Sequence, residues 1–124
     1  MRPHILLIED DPEDQQTVCE ALSQHGCQVA TITDTAQAMA TVKDWARQYQ
    51  LVIIEEAMQG RSGLKLLREA RSKHCDLPVV MISRDAEWDG YARALSEGAI
   101  DYFPRPVDRK ALLAVVDGLP GATG

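Results

Sequence analysis

Carboxylates gather at the ends of apolar runs in this chain. Glu9, Asp10 and Asp11 follow Ile5-Leu6-Leu7-Ile8, and Glu55 and Glu56 follow Leu51-Val52-Ile53-Ile54. Carboxylate oxygens in such numbers suit a hard divalent cation. A hydroxyl, Ser83, ends the run Val79-Val80-Met81-Ile82, and a guanidinium, Arg105, follows Ile100-Asp101-Tyr102-Phe103-Pro104. Hydroxyl and guanidinium are groups that grip anions. Turnover by a His or Cys nucleophile is not expected. His4, His25 and His74, like Cys19, Cys27 and Cys75, stand singly with no paired base or metal-type spacing.

Those runs must be strands for the polar groups to meet. Strand-like and helix-like segments alternate five times. Ile5–Ile8 is apolar throughout, as for a strand covered on both faces. Asp11 is placed to cap a helix opened by Pro12, with Glu13 and Asp14 in its first turn and Val18, Ala21 and Leu22 inward. A weaker strand spans residues 28–32. A second helix starts at Asp34 or Thr35 and puts Met39, Val42 and Ala46 on one stripe. After the strand 51–54, a helix follows Gly63 with Leu64, Leu67, Ala70 and Arg71 in helical period. Pro78 opens the strand 79–82, and the next helix, residues 86–97, buries Ala92 and Leu95 and stops at Gly98. A strand over 100–103 and a helix capped by Asp108, with Leu112, Val115 and Val116 inward, complete the series. Short apolar strands alternating with amphipathic helices predict an α/β fold with a parallel sheet between helical layers. Ligands of such folds bind beyond the C-terminal strand ends, and Glu9, Asp10, Glu55, Ser83 and Arg105 all fall there.

In combination these segments resemble the CheY-like receiver domains of response regulators, over essentially the whole chain. Residues 5–12, ILLIEDDP, resemble the family's first strand and acidic pair. Residues 50–55, QLVIIE, with Met58, Gly60 and Gly63, resemble the phosphoacceptor strand and its loop. PVVMIS at 78–83 resembles the switch strand, and GAIDYFPRP at 98–106 the segment that ends in Lys-Pro. The resemblance implies a flavodoxin-like (βα)5 doubly wound sheet of strand order 2-1-3-4-5. It implies magnesium at Glu9, Asp10, the acceptor position Glu55 and the carbonyl of Ala57. Ser83 and Arg105 take the places of the groups that hold the phosphoryl oxygens, and Tyr102 that of the aromatic that changes rotamer. Trp88 and Tyr91 join Tyr102 on the face of the fourth helix, fifth strand and fifth helix, used for partners or a homodimer. Arg105–Pro106 takes the place of a bond usually cis.

The same resemblance exposes four departures in one crevice. Glu55 stands for the acceptor aspartate, Arg105 for lysine, Arg84 for a small residue at the pocket mouth, and Gln59 for proline. Glu55, Asp10 and Glu9 facing Arg105 and Arg84 leave about one net negative charge rather than about two, so magnesium binding is expected to be weakened. An ion pair from Glu55 to Arg105 or Arg84 is expected, with Arg84 as a gate. Glu55 is longer than aspartate by about 1.5 Å and reaches into phosphoryl space, where it imitates the modification. Two-component signalling without phosphorylation, through a histidine kinase or another signalling protein, is the function implied. The alternatives are an ordinary phosphorelay receiver with a slow Glu55, or a small-ligand sensor in the same crevice.

The remaining bounds are broad. The 124 residues fit one domain, read as residues 1–118, with 119–124 a disordered tail or linker stub. Thirteen cationic against nineteen acidic residues give a net charge of -6, which argues against contact with nucleic acid or anionic membrane. No apolar run has membrane-spanning length, and three unpaired cysteines suit a reducing compartment, so a cytoplasmic protein is expected.

Overall fold

Parallel pairing carries the architecture. The computed structural model describes residues 2–58, 61–74, 76–84 and 88–120. Strands β1 (His4–Ile8), β2 (Gln28–Ile32), β3 (Leu51–Glu55), β6 (Val79–Ser83) and β7 (Asp101–Pro104) form one sheet in the order β2-β1-β3-β6-β7. Every neighbouring pair in it is parallel. Counted among these five, the order is 2-1-3-4-5, the flavodoxin-like arrangement. A two-residue hairpin of β4 (Ala57–Met58) and β5 (Arg61–Ser62) follows β3. The sequence gives no alternation there by which to expect it.

Side chains alternate across the sheet and fill two cores. Leu6, Ile8, Val52, Ile54, Val79 and Met81 face α2 (Thr35–Thr41), α3 (Trp45–Gln48), α4 (Leu64–Lys73) and α5 (Trp88–Ser96). Ile5, Leu7, Leu51, Ile53, Val80 and Ile82 face α1 (Pro12–Gln24) and α6 (Arg109–Asp117). Both faces being covered explains why residues 5–8, 51–54 and 79–82 read as unbroken apolar runs. Caps sit where their chemistry demands. The side chains of Asp11, Asp34 and Asp108 accept from the amides of Glu13, Ala36 and Lys110. Gly26 (φ 89°) and Gly98 (φ 107°) turn the chain out of α1 and α5 in a conformation only glycine adopts without strain.

Three expectations need correction. The second helix is not one stripe of Met39, Val42 and Ala46. A 3-10 turn at Val42–Asp44 splits it, and Met39 and Ala46 are exposed. Tighter winding turns Trp45 inward instead, fully buried beside Ala38 and Val42, its indole donating to Thr41 Oγ1 at 2.9 Å. On α5 the buried residue is Ala94, while Ala92 is exposed and Leu95 half-buried. The last strand starts one residue late, leaving Ile100 50% exposed. Gln59, Gly60 and Ala86, given roles above, lie outside the described residues.

Candidate functional site

Sheet topology brings the C-terminal ends of β1, β3, β6 and β7 to one edge. Glu9 and Glu55 are each 1% exposed there, and Ser83 is 4% exposed. Gly63 makes this close approach possible, since a Cβ at that position would collide with the carbonyl oxygen of Glu55. The amide of Glu56 continues the ladder to Ile82 O at 2.8 Å, and that of Arg105 donates to Ser83 O at 3.0 Å. The Arg105–Pro106 peptide is cis.

Arg105 sits at the centre of the acidic groups. Its Nη2 binds Asp11 Oδ2 at 2.9 Å, pairs with Asp14, and lies 3.5 Å from Glu9 Oε1. Its Nη1 lies 3.6 Å from Glu55 Oε2. The expected Glu55–Arg105 pair is thus present but loose, and Asp11 and Asp14 hold the guanidinium more closely. Arg84 does not pair with Glu55. It leans from the exposed rim toward Asp11 Oδ2 at 3.6 Å. Glu9, Asp11 and Asp14 each offer an oxygen within 4.8 Å of the others, the geometry of a cation site, and Asp10 lies outside that group. Asp11 and Asp14 were absent from the expected ligands because each already had a role at the head of α1. Their i, i+3 spacing on one helix face was the available signal. A cap uses one carboxylate oxygen, and Asp11 spends its other on Arg105.

Glu9 and Glu55 form a buried carboxyl pair. Glu9 Oε1 and Oε2 and Glu55 Oε2 receive no hydrogen bond from a neighbouring donor, while the Ala57 amide reaches Glu55 Oε1 at 3.5 Å. A proton held between the two carboxyls gives this group of oxygens a single donor and leaves the rest without one. Burial, and then the charge of Glu9, push the Glu55 pKa up to about 8, and burial also raises that of Glu9. The pair therefore holds a proton to higher pH than a free carboxyl does.

A second network leaves from the next residue. Glu56 projects to the other side, where its Oε2 accepts from the Tyr102 hydroxyl at 2.6 Å. The Ser83 hydroxyl bonds the same phenol. Burial, followed by the Glu56 bond, raises the Tyr102 pKa to about 12, so the phenol remains a donor. Tyr102 is only 5% exposed. Gly90 of α5 lies over its hydroxyl, and a Cβ there would come within 2.6 Å of it. Tyr91 meets the Tyr102 ring edge-on at 6.1 Å, and Trp88, 76% exposed, stacks on Tyr91 at 5.6 Å. An aromatic ladder thus runs from the crevice hydroxyl to the surface.

Known proteins share this frame. The response regulator receiver domain family matches residues 5–117. The chain is 34% identical over 110 residues to the C4-dicarboxylate transport transcriptional regulatory protein DctD of Pseudomonas aeruginosa, an alignment covering 88% of this chain and 23% of that protein. It is 33% identical over 124 residues to the regulatory protein VanRB of Enterococcus faecalis, covering 100% of this chain and 55% of that one. This chain therefore spans only part of the length of either relative. Among solved structures, the receiver domain of a sensor histidine kinase from Pseudomonas aeruginosa PAO1, with magnesium coordinated in its active site cleft, superposes with a TM-score of 0.80. Its identity is 23%, over 94% of this chain and 96% of that one, a likeness of fold.

Proposed function

The chain belongs to the response-regulator receiver family of two-component systems, and on that premise we propose that it signals without phosphorylation, as an interaction module whose reactive centre is closed by its own side chains. The observation that carries this reading is the Glu9–Glu55–Arg105 arrangement. An acceptor carboxylate must be ionised and open to in-line approach. The carboxyl of Glu55 is instead 1% exposed, paired with that of Glu9, and its pKa is raised to about 8. The added methylene, about 1.5 Å of reach, places it deeper than an aspartate would extend.

Magnesium binding is weakened for a related reason. Glu9, Asp11 and Asp14, with Asp10 and Glu55 nearby, are the oxygen donors that would hold the ion, whose role in such a site is to neutralise phosphoryl charge. Arg105 already supplies a positive charge among them. A cation entering must displace the guanidinium or share the site with it. The orphaned oxygens of Glu9 and Glu55 favour a second reading, in which magnesium still binds and Glu55 accepts a phosphoryl group slowly from a histidine kinase.

Output in the leading reading comes from the aromatic ladder. With Tyr102 held inward by Glu56 and Ser83, Trp88 and Tyr91 present a fixed face next to β7. That face takes a histidine kinase, another signalling protein or a second copy of the chain. No turnover chemistry is proposed. Intact mass after incubation with magnesium and acetyl phosphate tests the reading, with Glu55→Asp alongside. A phosphoryl adduct on the aspartate variant alone supports a silenced pocket. An adduct on the native protein that maps to Glu55 replaces it with the slow receiver.

A further inference from the structure

A cavity of about 690 Å3 opens beside the crevice, between the β4–β5 hairpin, the end of β6 and α5. That volume lies in the range of small-molecule sites, roughly 300–1,000 Å3. Arg61, Arg84 and Arg93 line it, each from a different element. Among the described residues the carboxylates in its wall are Glu56 and Asp89, and Glu56 is already engaged by the Tyr102 hydroxyl. This is a cationic hollow in a chain of net charge -6.

The arginines are not spent on structure. Arg61 and Arg93 form no ion pair or side-chain hydrogen bond among the described residues. Arg93 stands four residues after Asp89 on α5, the orientation in which an acid and a base pair readily, and yet the pair is not made. Arg84 reaches Asp11 only at 3.6 Å, with 64% of its side chain exposed. Three guanidinium groups and the hydroxyl of Ser62, all lining one cavity, are groups that bind oxyanions.

We propose that this cavity binds a small oxyanion, a metabolite bearing at least two negative charges as phosphate or carboxylate groups, held by Arg61, Arg84 and Arg93. The site adjoins the acidic crevice and shares Ala57, Ser83 and Arg84 with it, while Glu9, Asp11, Asp14 and Arg105 do not line it. Tyr102 forms part of its wall, so occupancy bears on the ring that leads through Tyr91 to Trp88. Bound anion and exposed aromatic face are thereby connected by direct contact.

Titration of the whole chain with inorganic pyrophosphate, and separately with succinate, tests this by tryptophan fluorescence and calorimetry. The buffer is stripped of metal by resin and held at constant ionic strength, with no phosphoryl donor, so the outcome does not depend on whether Glu55 is silent. Saturable binding of either probe is expected, pyrophosphate marking a phosphate-bearing ligand and succinate a carboxylate-bearing one. Arg61→Ala with Arg93→Ala, both at exposed positions, is expected to weaken binding by about tenfold or more. Arg109→Ala with Lys110→Ala, which removes the same charge from α6, is expected to leave it within about twofold. Absence of saturation by both probes overturns the proposal. So does equal weakening by the two double variants, or binding that survives loss of Arg61 and Arg93.

Discussion

Replacing Glu55 by glutamine tests the buried acid pair directly, because it keeps the shape and removes the proton. In the native protein the carboxyl of Glu55 is 1% exposed beside that of Glu9, and its pKa rises from 4.5 to about 8. A carboxyl whose pKa is higher folded than unfolded binds its proton more tightly in the folded state. Its contribution to stability is fully present below pH 4.5 and is lost as the pH climbs through the folded pKa near 8. At pH 7 the loss corresponds to roughly 2.5 pH units at about 1.4 kcal/mol each, or roughly 3 kcal/mol. Glutamine undergoes no such loss, and its amide donates to Glu9, whose oxygens otherwise lack a donor. Urea unfolding in metal-free buffer at pH 5, 6, 7 and 8 measures the difference. The two proteins are expected to be nearly equal at pH 5, with the glutamine variant ahead by roughly 3 kcal/mol at pH 7 and further ahead at pH 8. Parallel stability curves for the two proteins would refute the shared-proton account, and with it the closed-centre argument.

Three further perturbations read other parts of the arrangement. Arg105→Ala removes the cation from among Glu9, Asp11 and Asp14 and is expected to tighten magnesium binding by about tenfold or more in calorimetry; an unchanged Kd would mean that Arg105 does not compete for the site. Gly90→Ala would ordinarily gain about 1 kcal/mol within a helix, but its Cβ would come within 2.6 Å of the Tyr102 hydroxyl. A net loss of about 1–2 kcal/mol in thermal unfolding is therefore expected, smaller in a Tyr102→Phe background, and a gain would show that the ring is not fixed. Trp45→Ala empties a fully buried site and forfeits the bond to Thr41, an expected cost of about 3–5 kcal/mol in urea.

What the sequence made legible follows from how many residues enforce each signal. Three apolar runs, Ile5–Ile8, Leu51–Ile54 and Val79–Ile82, announce their strands because every residue in them is buried, and a slip of one position changes little. Helix faces carry less redundancy. The stripe of Met39, Val42 and Ala46 assumed 3.6 residues per turn throughout, and three residues of tighter winding at Val42–Asp44 sent Trp45 inward and Ala46 out. Nothing local in Thr41-Val42-Lys43 marks that change, since it is enforced by the volume of an indole against the sheet. Arg105 shows the same limit at the site. Its place at a strand end was legible, but which carboxylates would take the guanidinium depended on the pitch of α1, which brings Asp11 and Asp14 to it ahead of Glu55.

Glu55 and Glu56 show how far a two-residue period reaches. Side chains alternate along a strand, so adjacent acids at its end must serve opposite sides. Glu55 enters the crevice and forms a pair with Glu9, while Glu56 turns toward α5 and takes the hydroxyl of Tyr102. Alternation sets Glu56 aside as a substitute acceptor. The same alternation delivers it to a phenol that Ser83 also contacts. The position that cannot serve as acceptor is therefore the one that holds the aromatic ladder. The fold itself thus fixes the side chain of Glu56 beside the Tyr102 hydroxyl.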